Sequence, residues 1–361
     1  MSATQRQVAL ELSKDQLSNI LKCVAPFRDE ENVKISFAGS NAIFEVESMG
    51  NTGKITIGSE SITPEHADVE FFFAKQILAS VYQNMPNACK FIFYHDGETW
   101  ASASVNIAGD DINLGLPIFD KEIRTDFTLT DSEDMLSEKL AEALKRTEVS
   151  NIQSGAPAGA IEVGKELVSG TSLSISRYKK LLKNLHLKVS PSFRPHLNQI
   201  CKFGGMVKIG ITDNNEAVFI SENVEYKTGL LPHGIPDLEQ TLAGQNSRFR
   251  VGIQHLIDAL SRLSIPLMGE DAELYITAQD KNIKLEIFDI QNRKSESVLR
   301  AVDLEGGGKA MVNINSLKQV ASAFDDDAII SFRVADGDDE AVVALAIEDD
   351  LQIAYLQANI N

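Results

Sequence analysis

Several residue groups in this chain have the chemistry to act on a ligand, and their spacing decides against most of them. "GNTGK" at residues 50–54 sets glycines ahead of a lysine, as a phosphate-cradling loop does. That loop needs G-x-x-x-x-G-K-[ST]; here the glycines stand too close and Ile55 follows Lys54, so the stretch reads as a turn. The runs "DDD" at 325–327 and "DGDDE" at 336–340 offer carboxylates of the kind that hold divalent cations in a nuclease. On a charged surface such runs read first as a helix end and a hairpin tip. The six histidines form no HxH or HExxH pair, and no nucleophile elbow occurs. Cys23, Cys89 and Cys201 make no CxxC pair, which leaves neither a zinc pattern nor a disulfide framework and fits a reducing compartment. The expectation is a binding protein rather than an enzyme, with no catalytic residues, no metal and no cofactor.

What remains is positive charge concentrated in one place. The chain carries a formal −18, yet from Leu167 to Thr212 it has no Asp or Glu. Arg177, Lys179, Lys180, Lys183, Lys188, Arg194, Lys202 and Lys208 lie in that stretch, so the rest of the chain carries −26. On a helical wheel of "RYKKLLKNLHLKV", Tyr178, Leu181, Leu182, Leu185 and Val189 share an arc of about 100°. The basic residues fall outside it, as does Leu187. The pattern predicts a helix with one apolar and one positive face. Solvated faces ordinarily mix signs; a face of one sign suits the phosphates of a nucleic acid, read without regard to sequence. Residues 320–361 hold ten acids against Arg333 alone, and a surface of that sign repels DNA.

The elements that position these charges come in copies. "VALELSKDQLSNIL" from Val8, "VEFFFAKQILASVY" from Val69, "FTLTDSEDMLSEKL" from Phe127, "SLSISRYKKLLKNL" from Ser172, "FRVGIQHLIDALSRL" from Phe249 and "MVNINSLKQVASAF" from Met311 each read as a strand running into a helix. Their starts lie 61, 58, 45, 77 and 62 residues apart. About three strands follow each helix, with hairpin turns at Asp96-Gly97 and Asp213-Asn214-Asn215. The third copy looks short and loop-like after its helix. One such copy cannot cover both faces of its sheet or hide its edges, so copies pair into domains. The expected class is α+β, with domains at 1–124, 125–245 (its first half compressed) and 246–361. At 361 residues and 43% apolar content the chain supports three such cores. "MSATQRQVALELSKDQ" has no apolar run of signal length, and no run of 18 apolar residues occurs, which points to the cytoplasm. The single Trp100 sits in a strand pattern and reads as core.

The order and spacing of these segments resemble the bacterial and phage-type DNA polymerase sliding clamps, the beta clamps. "GIPDLEQTLAG" followed by "FRVGIQHLIDALSRLSI" looks like that family's entry into its third domain, with Gly234, Pro236 and Asp237 at its G-x-P-D turn. "MVNINSLKQVASAF", "QIAYLQANIN" and "VEFFFAKQILASVYQNMPNACKFIFYHDGETWASAS" resemble further family segments. "RPHLN" at 194–198 echoes a family motif of the first half of domain 2 and is set aside as coincidence, because that placement leaves domain 2 no second half. The tail lacks the family's methionine-proline ending, and the compressed half of domain 2 is one that supplies part of the partner pocket.

The resemblance implies the DNA-clamp fold: three similar two-copy domains per chain, helices lining a ring and sheets outside. It implies a homodimer closed around duplex DNA, joined between domain 1 of one chain and domain 3 of the other. It further implies a non-enzymatic processivity factor that tethers a DNA polymerase and meets its clamp loader through short peptides. On that footing Lys22, Lys75, Lys145, Arg146, Arg262 and Lys318 add to the basic stretch, and Arg28 resembles a family DNA-contact position. The implied peptide pocket takes Leu242, Ala243, Leu356, Ala358 and Ile360. An alternative keeps the fold but makes the chain an interaction scaffold in transcription or repair, with little DNA binding of its own.

Overall fold

Period-two alternation and helical spacing sort the chain into six copies of one pattern: strand, helix, three strands. The computed structural model describes residues 6–58, 70–95, 100–107, 109–115, 127–148, 159–170, 174–235, 247–268, 270–279, 281–325, 327–332 and 344–357. The first repeat is β1 (Arg6–Ser13), α1 (Lys14–Val24), β2 (Asn32–Ala38), β3 (Asn41–Ser48) and β4 (Asn51–Gly58). The second is β5 (Glu70–Ala74), α2 (Lys75–Asn84), β6 (Ala88–His95), β7 (Trp100–Ile107) and β8 (Asp110–Gly115). The third is β9 (Leu129–Leu136), α3 (Ser137–Arg146), β10 (Ala160–Val163), β11 (Leu167–Gly170) and β12 (Ser174–Tyr178). The fourth is β13 (Leu187–Val189), α4 (Arg194–Cys201), β14 (Met206–Thr212), β15 (Glu216–Ser221) and β16 (Val224–Gly229). The fifth is β17 (Ser247–Gly252), α5 (Ile253–Leu263), β18 (Glu273–Gln279), β19 (Asn282–Phe288) and β20 (Lys294–Arg300), followed by an added β21 (Val302–Glu305). The sixth is β22 (Gly308–Asn313), α6 (Ile314–Ala321), β23 (Asp327–Phe332), β24 (Ala344–Glu348) and β25 (Gln352–Gln357).

Local chemistry explains these boundaries. Ser13 and Gln16 form a reciprocal capping box that starts α1, and Leu17, Ile20 and Val24 bury its apolar side. The Asn313 side chain accepts from the Ser316 amide and caps α6. In α5, Ile253, Leu256, Leu260 and Leu263 recur at three- and four-residue steps and are all buried. "GNTGK" divides between a tight turn, with Met49 and Gly50 at positive φ, and the start of β4. The Asp213 turn joins β14 to β15 as its residues predict, with Asn215 at φ 59°. The 96–99 turn lies outside the described residues.

Each repeat lends its first strand to a neighbour: β1 joins β6-β7-β8, and β5 joins β2-β3-β4. Repeats 3 and 4, and repeats 5 and 6, exchange first strands in the same way. Two four-strand groups then meet edge to edge through β4 and β16, giving the eight-strand sheet β5-β2-β3-β4-β16-β15-β14-β9. A second junction, β12 with β25, gives β13-β10-β11-β12-β25-β24-β23-β17-β21. The groups β1-β6-β7-β8 and β20-β19-β18-β22 remain four strands wide.

The chain packs as two compact units. One comprises Met1–Glu138 and Ser192–Leu230, the other Lys139–Pro191 and Leu231–Asn361. The core of the first includes Leu10, Ile20, Phe44, Phe73, Phe91, Phe193 and Tyr226. The second has a continuous core from α5, α6 and the strands around them, including Phe249, Leu260, Ile276, Leu317 and Ile330.

The helix expected over residues 177–189 is absent. Arg177 and Tyr178 end β12, residues 179–186 form a loop, and Leu187 opens β13. The amides a helix would bond four residues back go elsewhere: Lys179 N–H to the Leu351 carbonyl (2.8 Å), Leu181 N–H to Lys165 (2.7 Å) and Leu182 N–H to Gly164 (2.8 Å). Lys180 lies at φ 64°, which no α-helix admits. The apolar side chains still bury, Leu185, Leu187 and Val189 at the two-residue step of a strand. Leu187, which spoiled the helical wheel, was the strand's signature. The fourth helix is α4, built on "RPHLN", with Pro195 in its first turn. With that shift the third repeat has all three strands after its helix, and the repeats start at residues 6, 70, 129, 187, 247 and 308, more evenly than their sequences suggested.

Candidate nucleic-acid interface

Charge is partitioned between helices and the rest of the chain. The six described helices hold nine Lys or Arg (Lys14, Lys22, Lys75, Lys139, Lys145, Arg146, Arg194, Arg262 and Lys318) against four acids (Asp15, Glu138, Glu142 and Asp258). That is +5 on the helices and −23 on everything else. α1, α5 and α6 each bury an apolar side, while α4 also buries Arg194, His196 and Gln199, so Arg194 does not face solvent.

The expected contact residues divide by what holds them. Lys22, Arg28, Lys145 and Arg262 are exposed. Arg28 pairs loosely with Glu30 at 3.9 Å, an exposed contact of little strength. Lys318 is half-buried on α6. Lys75 is committed within the fold: its ammonium meets Asp29 at 3.0 Å and donates to the Phe27 carbonyl at 2.7 Å, leaving the side chain 12% exposed. Arg146, also 12% exposed, is held by Glu142 at 3.1 Å, Asp325 at 2.7 Å and Asp349 at 3.4 Å. Arg177 pairs with Glu166 at 3.2 Å. Lys180 and Lys183 stand exposed on the loop after β12, while Lys179 and Lys188 are half-buried. The charges of Lys75 and Arg146 are therefore structural, because nearby carboxylates neutralise them and little of either side chain reaches solvent.

Arg146 borders a cleft of about 630 Å³ in the second unit, also lined by Lys179, Arg248, Arg250, Asp325, Asp327, Ile329, Glu348, Asp349, Asp350 and Leu351. Asp325 and Asp327 thus lie around this cleft, while 336–340 lies outside the described residues. Among the described residues no group of three or more His, Cys, Asp or Glu is arranged to hold a metal ion. Among them no helix is long and apolar enough to cross a membrane. Burial pushes the thiols of Cys23, Cys89 and Cys201 up to about 12, which leaves them protonated and unreactive at neutral pH.

Of the expected peptide-pocket residues, Leu242, Ala243, Ala358 and Ile360 lie outside the described residues. Leu356 does not offer a surface: it is 2% exposed inside the core of the second unit. It alternates along β25 as a strand residue should, and its side of the strand faces inward. Gly234 is described, and a Cβ there would press on the side-chain ends of Glu162 and Lys188, which would have to move aside. Pro236 and Asp237 are not among the described residues, and nor is the Trp100 side chain.

Sequence reasoning passed over one cluster in the first unit. His196 on α4 stacks on Phe193 with centroids 4.9 Å apart and meets Phe27 and Tyr226 edge-on at 4.7 and 5.5 Å. Among the described residues neither of its ring nitrogens has a hydrogen-bond partner, and burial lowers its pKa from 6.5 to about 4. Tyr226 Oη donates to the Cys23 carbonyl at 2.7 Å. The aromatic spacing was visible only once α4 was placed.

No protein-family model and no curated protein matches the chain by sequence. Solved structures match it in fold. A DNA polymerase sliding clamp from Bacillus subtilis superposes with TM-score 0.81 at 13% identity, over 99% of this chain and 100% of that one. The DNA polymerase III subunit beta from Pseudomonas aeruginosa gives 0.80 at 14%, over 98% and 100%. A DnaN sliding clamp from Bartonella birtlesii bound to griselimycin gives 0.77 at 13%, over 99% and 100%. The chain has the sliding-clamp fold. Identity this low carries the fold and leaves function to the chain's own residues. In this clamp-fold chain the positive excess sits on the helices, and the loop after β12 carries the lysines that the sequence assigned to a helix.

Proposed function

We propose that this chain is a DNA sliding clamp: a non-enzymatic processivity factor whose copies close into a ring around duplex DNA and tether a polymerase. The observation that carries the reading is the partition of charge on a clamp fold, +5 on the helices against −23 elsewhere. A channel lined by such helices attracts phosphates without reading bases, and an acidic exterior repels them. Attraction of that kind is spread over many weak contacts, so the duplex can slide.

Ring closure has its own support. Every junction between four-strand groups uses the third strand after a helix: β4 with β16 and β12 with β25. Among the described residues, two such strands remain without that kind of neighbour, β8 of the second repeat and β20 of the fifth. An edge of this kind seeks a partner. We assign β8 of one copy to β20 of the next, a head-to-tail contact that two copies of three two-repeat domains close into twelve repeats. Ile112 on β8 is 48% exposed, and Ile265 and Met268 after α5 are exposed apolar residues of the kind such a contact covers. Polymerase and loader peptides dock by the carboxyl-terminal tail in this reading, so deleting residues 358–361 abolishes binding of a polymerase-tail peptide and leaves the ring intact. Unchanged affinity of that peptide in calorimetry places the partner site elsewhere.

A scaffold with little DNA binding is the second reading. It is favoured by the neutralised Lys75 and Arg146. Salt-sensitive binding of duplex DNA by the intact protein, equal across sequences, decides for the clamp; no binding at low salt decides for the scaffold.

A further inference from the structure

The acid-free stretch was expected to present a basic helix, and it forms a loop. The loop is pinned from two sides. The Leu181 and Leu182 amides bond to the β10–β11 turn at Lys165 and Gly164, and Lys139 Nζ on α3 donates to the Leu181 carbonyl at 3.3 Å. Lysines from three separate parts of the sequence are thereby brought together: Lys139 in the first turn of α3, Lys165 in the turn, and Lys180 and Lys183 in the loop.

The acids nearest in the sheet are already engaged. Glu166 pairs with Arg177 at 3.2 Å, and Glu162 with His186 at 3.2 Å. Residues 139–191 hold nine Lys or Arg against four acids, +5, whereas residues 231–361 of the same unit hold eleven against twenty-two, −11. Leu181, Leu182, Leu185 and Leu187 are buried, so the loop offers no apolar anchor of the kind a protein partner grips. Its cations are lysines, compact point charges suited to phosphates in no fixed geometry. Three backbone bonds and buried leucines hold the loop in place, so little ordering entropy is lost on contact.

We propose that Lys165, Lys180 and Lys183 form a phosphate-contact patch for duplex DNA, on a loop that Lys139 of α3 helps to hold and separate from the helix lysines; this rests on the clamp reading. The patch adds attraction at a loop, where charge reversal leaves the apolar anchors untouched.

The test uses the full chain and a fluorescent duplex of about 30 base pairs, with affinity followed from 50 to 200 mM salt. The triple variant K165E/K180E/K183E removes three contacts, so the slope of log affinity against log salt falls by about 2.7 and the affinity ratio across that range shrinks roughly forty-fold. The milder K165Q/K180Q/K183Q moves the slope in the same direction and stands in if charge reversal lowers the melting temperature. The comparison variant is K22E/R262E/K318E on the helices. An unchanged slope in the loop variants with a reduced one in the helix variant overturns the patch and leaves the clamp. No change in any variant overturns both. Preference of the unmodified protein for poly-glutamate over duplex, through the same loop lysines, overturns the patch in favour of an acidic protein partner.

Discussion

His196 makes the first unit sensitive to acid in a way that can be worked out in advance. The ring is 4% exposed among Phe27, Phe193 and Tyr226, and its pKa is lowered from 6.5 to about 4. A depressed pKa means the unfolded chain takes up the proton more readily than the folded one. The stabilisation is therefore full above pH 6.5 and is lost as pH falls toward 4. The whole difference corresponds to about 3 kcal/mol, and the part lost between pH 7.5 and pH 5.0 is about 2 kcal/mol. Cys23 and Tyr226 beside it have raised pKa values and stay neutral throughout, so they add nothing to this window. The perturbation is His196→Phe, which keeps an aromatic ring against Phe193 and cannot titrate. The single Trp100 belongs to the first unit, so its fluorescence in a urea titration follows that unit alone. The native protein should lose about 2 kcal/mol more than His196→Phe between the two pH values. Equal losses in the two proteins would falsify the assignment of a neutral, unsolvated imidazole at this position.

Other perturbations test separate parts of the account. Arg146→Met leaves Glu142, Asp325 and Asp349 facing one another and should lower the stability of the second unit by about 1–2 kcal/mol, with DNA affinity little changed; a large affinity loss at unchanged stability would restore Arg146 as a DNA contact. Gly234→Ala should displace Glu162 from its 2.7 Å bond to the Ile235 amide, at about 1 kcal/mol, and quicken proteolysis after residue 230; unchanged cleavage would mean that this docking contributes nothing. Ile112→Asp places a charge at the β8 edge and should shift the assembly toward the 39.5 kDa single chain in sedimentation; an undisturbed assembly would exclude β8 from the contact.

Much of the fold was legible because strands and helices leave different periods in the sequence. Five of the six helices fell in the segments where apolar spacing placed them, and the structure adds the caps Ser13 before α1 and Asn313 before α6. The 177–189 stretch misled because Leu181, Leu182, Leu185 and Val189 fit a helical arc, while Leu185, Leu187 and Val189 fit a strand equally well. Pro191 and Pro195 beyond them marked where a helix could begin. The state of the candidate contact residues was less legible. Arg146 meets partners 179 and 203 residues away in the chain, which no local pattern reveals. Lys139 and Lys165 join the loop lysines only through hydrogen bonds of the folded chain. Leu356 alternates along β25, and which face that strand turns inward is decided by its neighbours in the sheet, which its own sequence does not reveal.

Retention on closed against cut DNA tests the central claim most directly. The protein is bound to a nicked circular duplex at low salt, washed at 0.2 M salt, and half the sample is linearised with a restriction enzyme before gel filtration. A ring held by topology stays with the circle and runs off the cut DNA, while the direct contacts are weakened by the salt. Equal loss from both forms, or equal retention on both, would contradict a clamp that encircles the duplex.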